Sequence, residues 1–365
     1  MKKVCFFLTS LDSGGTEKYL LRFLEYSQNN INATIICKSG KLGSLEQDFK
    51  KVKANIIPLK TGYFKLFSWI KIYKILKKSP FNSVVDLTGN FGGIPMMVSL
   101  FAGIKKRITF YRYSSNQFKE TQIKLLYNRF VKFLVFKFAT SILSNSKTAF
   151  IFFFPIVFEK DKRFKVIFNG VNFNDFIIKE SKKDIRNSLG INRDVFLIGH
   201  IGRNDISKNH KTIFKVAREL IKKDINIEFL FCGKGTDDRE FKKQITDIEI
   251  LKNAHVLGER FDVPRILKAL DIFYFPSITE GQPNALIEAM LCNLPIITST
   301  IEPIKEIIPI EGHNLLIDPY EVSKAVKSIL AIRNNATIER KYKYKNWAIK
   351  NFNFETNFRI FENEI

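Results

Sequence analysis

Pro276-Ser277-Ile278-Thr279-Glu280-Gly281-Gln282-Pro283-Asn284-Ala285-Leu286-Ile287-Glu288-Ala289-Met290 sets two carboxylates eight residues apart, with a glycine and a proline between them. Glycine then proline fits a turn that leads into a helix. Pro283 suits the first helical position, where its missing N–H costs nothing. Unpaired N–H groups at a helix start attract anions, phosphate above all. Glu280 then lies in the loop and Glu288 about one turn inside the helix. An anion site flanked by two hydroxyl-binding acids fits a nucleotide sugar.

Working outward, the apolar runs around this stretch alternate between strand-like and helix-like lengths. Strand Ile272–Phe275 precedes it, and strand Pro295–Thr298 and helix Glu321–Arg333 follow. Upstream come strand Val195–Ile201, helix Lys208–Lys222, strand Ile227–Cys232, helix Asp237–Asp247, strand His255–Leu257 and helix Val263–Leu270. An earlier alternation opens with strand Val4–Thr9, loop Ser13-Gly14-Gly15 and helix Thr16–Tyr26. Strand Ala33–Lys38, helix Phe64–Lys78, strand Ser83–Leu87, strand Ile108–Tyr111, helix Gln122–Phe138 and strand Ser141–Ser144 continue it. Such β–loop–α alternation builds parallel sheets covered by helices. The polar stretch Asn169–Asn187 reads as a linker. The expected fold is α/β, two Rossmann-like doubly wound domains facing across a cleft. Residues 1–175 form the first, residues 176–348 the second, and 349–365 pack back on the first. The informative loops all follow strands, where ligands bind in open α/β sheets.

With 365 residues, two domains are expected, and 45% hydrophobic content is ample for their cores. Four scattered cysteines without a CxxC pair argue against a zinc site or a disulfide framework, so a reducing cytoplasm fits. The opening is too short in apolar residues for a signal peptide. No apolar run reaches the roughly 18–20 residues that a membrane span needs.

The net charge of +23 is unevenly spread. Residues 1–170 carry 29 Lys/Arg against 9 Asp/Glu, whereas residues 171–365 carry 30 against 27. A basic half points to a polyanionic partner: membrane surface, nucleic acid or acidic substrate. Phe64–Lys78 mixes aromatic residues with lysines, and Leu125–Phe138 mixes them with lysine and arginine. Two readings are open for them. Each can pack its aromatic face on the sheet, or lie in an anionic membrane interface.

A further loop, Gly202-Arg203-Asn204-Asp205-Ile206-Ser207-Lys208, places a guanidinium and an ammonium at the carboxyl end of a strand. Together they can clamp a diphosphate. With the glutamate loop, the pattern resembles the family-four retaining glycosyltransferases of GT-B fold, over most of the chain. Ser13-Gly14-Gly15-Thr16-Glu17 is similar to that family's N-terminal glycine loop. Asn169-Gly170-Val171-Asn172 is similar to the segment before its second domain, and Gly233-Lys234-Gly235 to a glycine turn within it.

The resemblance implies roles. Glu280 binds donor-sugar hydroxyls near the reacting carbon, and Glu288 holds the ribose. Arg203 and Lys208 stabilise charge on the leaving diphosphate. Gly14, Gly15, Gly281, Gln282, Asn284, Ala285 and Leu286 complete the donor site, largely through backbone N–H groups. It also implies retention of anomeric configuration, a nucleoside-diphosphate sugar as co-substrate, and no metal or other cofactor. The acceptor is expected to be a saccharide, lipid-linked, in surface polysaccharide, lipopolysaccharide or glycolipid assembly. The enzyme is then cytoplasmic and peripheral on the inner membrane face, and binds no nucleic acid. One departure stands out. Many family members carry a histidine in a first-domain loop near the reacting carbon, and no histidine here precedes His200. The corresponding loop reads Phe110-Tyr111-Arg112-Tyr113, so Arg112 or Tyr113 is the expected contact to acceptor or sugar. Two other readings remain: a sugar-nucleotide epimerase of the same fold, and a non-enzymatic nucleic-acid-binding protein.

Overall fold

The computed structural model describes residues 1–365 apart from 63–64, 117, 119, 224–225 and 335–343. The chain divides into two compact units, Met1–Gly170 with Phe354–Ile365, and Val171–Asn353. The sequence placed these divisions at 175/176 and 348/349.

The first unit runs β1 (Lys2–Leu8), α1 (Gly15–Tyr26), β2 (Ile31–Cys37), α2 (Glu46–Lys51), β3 (Asn55–Pro58), α3 (Leu66–Lys78) and β4 (Ser83–Asp86). It continues with α4 (Gly93–Phe101), β5 (Lys106–Tyr111), α5 (Gln122–Phe138), β6 (Ser141–Ser144), α6 (Lys147–Phe153) and β7 (Phe164–Val166). The seven strands pair in parallel in the order β3-β2-β1-β4-β5-β6-β7. Because side chains alternate across a strand, β1 feeds both faces. Val4, Phe6 and Leu8 join one core cluster, Cys5 and Phe7 the other. Burial on both faces is why β1 reads as an unbroken apolar run. The C-terminal helix Phe354–Glu364 belongs to this unit. Its stripe Phe354, Phe358 and Phe361 follows helical spacing and meets α1, with Phe361 4.6 Å from the Phe23 ring and Phe358 5.4 Å from Tyr19.

The second unit runs α7 (Lys182–Ser188), β8 (Phe196–Ile201), α8 (His210–Lys223), β9 (Ile227–Cys232), α9 (Arg239–Asp247), β10 (Ala254–Val256) and α10 (Val263–Ala269). Then come β11 (Ile272–Phe275), α11 (Asn284–Leu291), β12 (Ile296–Thr298), α12 (Glu302–Lys305), α13 (Val322–Asn334) and a helix at Lys345–Asn351. Its parallel sheet has the order β10-β9-β8-β11-β12. In both sheets the order reverses beside the first strand, which is doubly wound topology. Asp271, at the start of β11, ties down the amino edge. It accepts from Lys182 at 2.5 Å, from Arg186 at 2.6 Å and from the Leu197 N–H at 2.7 Å.

Several sequence expectations need correction. The linker is shorter than Asn169–Asn187, since Ser181 caps α7 by accepting from the Asp184 N–H at 3.1 Å. Polar composition there marks a capped surface helix. Pro283 is the N-cap residue of α11, with extended backbone (φ −75°, ψ 106°), and Asn284 is the first helical position. The Phe64 start predicted for α3 lies outside the described residues. Among the elements that went unread are α2, α4, α6 and the edge strands β3 and β7. Among the described residues no helix is long and apolar enough to cross a membrane.

Candidate functional site

In the second unit, the loops after β8, β9 and β10 are laced together by their backbones. The Gly202 N–H donates to the Cys232 carbonyl at 2.9 Å, Asn204 to Lys234 at 2.8 Å, and Gly233 to Gly258 at 2.7 Å. Gly233 adopts φ +147°, and a Cβ there would lie 2.3 Å from the Gly202 carbonyl oxygen. Only glycine permits that conformation and that approach.

The loop after β8 then meets the glutamate loop. Asp205 accepts from the Ser207 N–H at 2.9 Å and starts a short 3-10 turn over Ile206–Lys208. Burial raises the Asp205 carboxyl, but hydrogen bonds from Ser207 and the charges of Arg203 and Lys208 outweigh it and hold the group below its usual range. Asn209 follows in the left-handed region (φ 56°). It donates to the carbonyls of Pro276 at 3.1 Å and Pro319 at 2.7 Å. The Ile278 N–H donates to the Ser207 carbonyl at 2.9 Å. These bonds bring Lys208 onto Glu280, with Nζ 2.5 Å from Oε1. Both side chains are largely buried, at 16% and 10% exposure. The Lys208 ammonium also lies 5.0 Å from the Phe275 ring centroid.

Arg203 does not join this pair. Its side chain is half exposed and faces Asp205, 3.7 Å away. Glu288 is buried in α11, close enough to Cys292 that burial, and then the Glu288 charge, push that thiol up to about 12. Gly281 and Gln282 are buried, while Asn284 and Ala285 are half-buried. Leu286 departs from its expected role. Its N–H already donates to the Pro283 carbonyl at 3.2 Å and its side chain is in the core, so it has nothing left for a ligand.

Beneath the pair sit two histidines. His200 Nδ1 lies 3.0 Å from the Tyr274 carbonyl and therefore carries the proton. Its ring meets His210 edge-on at 4.9 Å, and His210 packs among Phe214, Phe231 and Phe241. Burial, then the neighbouring His210, drives His200 well below the usual imidazole value. Burial, then Lys208, brings His210 to about 4. Both are neutral packing groups at neutral pH.

The first unit holds a separate cavity of about 260 Å³ at the carboxyl ends of β1, β4 and β5. Arg112 and Tyr113 both line it, Arg112 buried and Tyr113 at 40% exposure. Sequence reading missed its frame. Lys38 Nζ donates to Asp86 at 2.8 Å, to Thr88 at 2.5 Å and to the Phe91 carbonyl at 3.2 Å, pinning the loop after β4. Tyr111 donates to Asn90 at 2.6 Å, Asn90 to Asn128 at 3.0 Å, and Asn128 to Asn116 at 3.2 Å. Burial, then Asp86, keeps the Tyr111 hydroxyl well above its ordinary value, so it stays a donor. A signal existed: Asn128 stands at helical spacing with Val131 and Val135 on the buried stripe of α5. Gly14 and Gly15 open α1 in this same unit. A Cβ at Gly14 would lie 2.4 Å from Glu17 Oε2, so the Glu17 carboxylate covers the helix start.

The outer faces of α3 and α5 do not pack on the sheet. Only Ile72 and Leu76 of α3 are buried, whereas Phe67 and Ile123 are each 83% exposed. Leu66, Leu126, Phe130 and Phe133 are exposed beside them.

A family model described as glycosyl transferases group 1 matches residues 181–349. The chain is 26% identical over 336 residues to the UDP-Gal:alpha-D-GlcNAc-diphosphoundecaprenol alpha-1,3-galactosyltransferase of Escherichia coli, covering 89% of this chain and 86% of that protein. It is 28% identical over 318 residues to the capsular polysaccharide biosynthesis glycosyltransferase CapH of Staphylococcus aureus, covering 84% of each. The chain is a glycosyltransferase. The enzyme class is thus transferase, which sets aside the epimerase and the non-enzymatic readings. HepE of Anabaena, solved in complex with UDP and glucose, superposes on this glycosyltransferase with a TM-score of 0.81 at 18% identity, over 100% of this chain and 99% of that one. That likeness establishes the GT-B fold.

Proposed function

We propose that this glycosyltransferase moves a sugar from a uridine diphosphate donor to a lipid-linked saccharide, with retention, during assembly of a surface polysaccharide. The observation that carries the proposal is the buried Lys208–Glu280 pair at the carboxyl edge of the second sheet. An ammonium has three donors. One reaches Glu280, and the others serve the oxygens of a leaving diphosphate, whose charge grows as the glycosidic bond breaks. Arg203, half exposed on the neighbouring turn, adds a second cation. Glu280 binds the sugar hydroxyls, and Glu288 takes the ribose. The acceptor oxygen attacks the anomeric carbon on the face the diphosphate leaves, and the departing phosphate oxygen takes the acceptor proton. These cations meet the charge without a metal ion, so chelator should leave turnover intact.

Support for the donor and acceptor classes comes from the relatives. The Escherichia coli protein is named for a UDP-Gal donor and a diphosphoundecaprenol acceptor, and HepE was solved with UDP. Attachment to the cytoplasmic face of an anionic membrane is supported by the exposed aromatic faces of α3 and α5 within a half carrying 29 Lys/Arg against 9 Asp/Glu.

The deciding experiment measures UDP release from a panel of UDP-sugars, with and without polyprenyl-diphosphate saccharides. One donor should turn over, and Glu280→Gln should lower transfer sharply while keeping UDP binding. Absence of both binding and turnover across the panel would overturn the assignment.

A further inference from the structure

The cavity of the first unit contains a buried cation two of whose donor atoms lack an acceptor. Arg112 lines it at 6% exposure, and its Nε and Nη1 have no hydrogen-bond acceptor among the described residues. The guanidinium carbon sits 3.8 Å from the Tyr19 ring centroid and 5.1 Å from that of Phe110. Stacking on aromatic faces orients the plane and keeps the charge, yet satisfies none of the in-plane donors. A buried charged donor left unmade is costly, and each one in a native structure calls for an explanation. Burial lowers this guanidinium to about 10, so it remains cationic at neutral pH. Glu17 also lines the cavity and its charge acts on Arg112, but its carboxylate lies against Gly14 at the start of its own helix and gives neither Nε nor Nη1 an acceptor. There the helix dipole holds it.

The rest of the lining has the character of a carbohydrate site. Thr9 offers a hydroxyl, Thr88 keeps one lone pair beside its bonds to Asp86 and Lys38, and Asn116 keeps one N–H and one lone pair beside its bonds to Glu120 and Asn128. Phe91, 36% exposed, offers an aromatic face braced by Phe118 at 6.0 Å and Tyr127 at 6.4 Å. We propose that this cavity binds a sugar residue bearing one oxyanion, a carboxylate or a phosphate ester, which Arg112 grips through charge-assisted hydrogen bonds. The hydroxyls of that residue meet Thr88 and Asn116, and its ring lies on Phe91. That the residue belongs to the acceptor rests on the function proposed above; the anion preference does not.

The test is calorimetric titration of the full chain, saturated with UDP so that phosphate sites in the second unit are filled. The probes are glucuronate, glucose 1-phosphate and neutral methyl glucoside. At least one anionic sugar should bind about tenfold or more tightly than methyl glucoside, the gain of one charge-assisted hydrogen bond. Arg112→Met should erase that advantage and Arg112→Lys should keep part of it, with the Kd for UDP unchanged in both. Which anionic probe binds more tightly separates carboxylate from phosphate. Equal binding of all three probes, or an advantage that survives Arg112→Met, overturns the inference. If Arg112→Met does not fold, the wild-type ranking and Arg112→Lys decide. Failure of UDP itself to bind counts against the proposed function instead, and the probe ranking still decides the cavity.

Discussion

The two units share a topology but build the carboxyl edges of their sheets by different means. In the second, backbone bonds fix the loops: Gly202 to Cys232, Asn204 to Lys234, Gly233 to Gly258, Ile278 to Ser207. In the first, backbone bonds such as Ser39 to Thr9 share the task with side chains, which fix the loops after β4 and β5 through Lys38 with Asp86 and Thr88 and through the chain Tyr111, Asn90, Asn128, Asn116. A backbone frame is indifferent to most substitutions outside its glycines. A side-chain frame changes shape with each substitution. One edge is therefore suited to a constant ligand and the other to a ligand that differs between relatives.

That contrast can be broken in four ways. The largest effect is expected in the side-chain frame. Asp86 is fully buried, and Asp86→Ala would strand the Lys38 charge, costing about 3–5 kcal/mol. Chemical denaturation reads this directly, and a loss below about 1 kcal/mol would remove the contrast. The counterpart Asp271→Ala should cost less, because Arg186 keeps the carbonyls of Ala269, Arg193 and Val195. Next in size is catalysis. Lys208→Met should lower kcat by about 10²–10³, as loss of one transition-state donor does. A double-mutant cycle with Glu280→Gln should be strongly non-additive, since the two side chains touch.

The third test is acid. His210 stands near 4 in the folded chain against an ordinary value of 6.5. Between those values the unfolded chain binds a proton that the folded one refuses, so stability falls as pH drops from 6.5 toward 4. The loss reaches about 3 kcal/mol at most for this group, and His200 acts in the same direction. Urea midpoints at pH 7 and pH 5 measure the slope, which His210→Phe should flatten. The smallest effect concerns the basic half. Lys71→Gln on exposed α3 should weaken binding to phosphatidylglycerol vesicles by about 1 kcal/mol at low salt. Equal binding to neutral vesicles would separate the basic half from any membrane role.

Legibility in the sequence followed the same divide. Ile227–Cys232, Ile272–Phe275, Gln122–Phe138 and Ser141–Ser144 were read to the residue, because apolar runs there end in turn residues. α4 was missed because it opens with Gly93 and carries Pro95 in its first turn, where proline is tolerated. α6 was hidden by aromatic residues despite its cap, Ser146, which accepts from the Ala149 N–H at 3.1 Å. The glutamates, Arg203 and Lys208 were visible as residue types at strand ends. The contact between Lys208 and Glu280 spans 72 positions, and no local pattern announces it. The solitary Arg112 was noticed only as a departure, while the amide chain beside it came from residues 90, 116 and 128, which no spacing connects.

The helix Phe354–Glu364 completes a core begun by α1 more than three hundred positions earlier. On the ribosome, the second unit is therefore whole before the first can close. Until Phe358 and Phe361 emerge, Tyr19 and Phe23 wait uncovered, open to chaperones and to misassembly with other nascent chains. Arrested chains ending at residue 353 should accordingly be cut by protease within residues 1–170, and resistance there would show that the early core stands by itself.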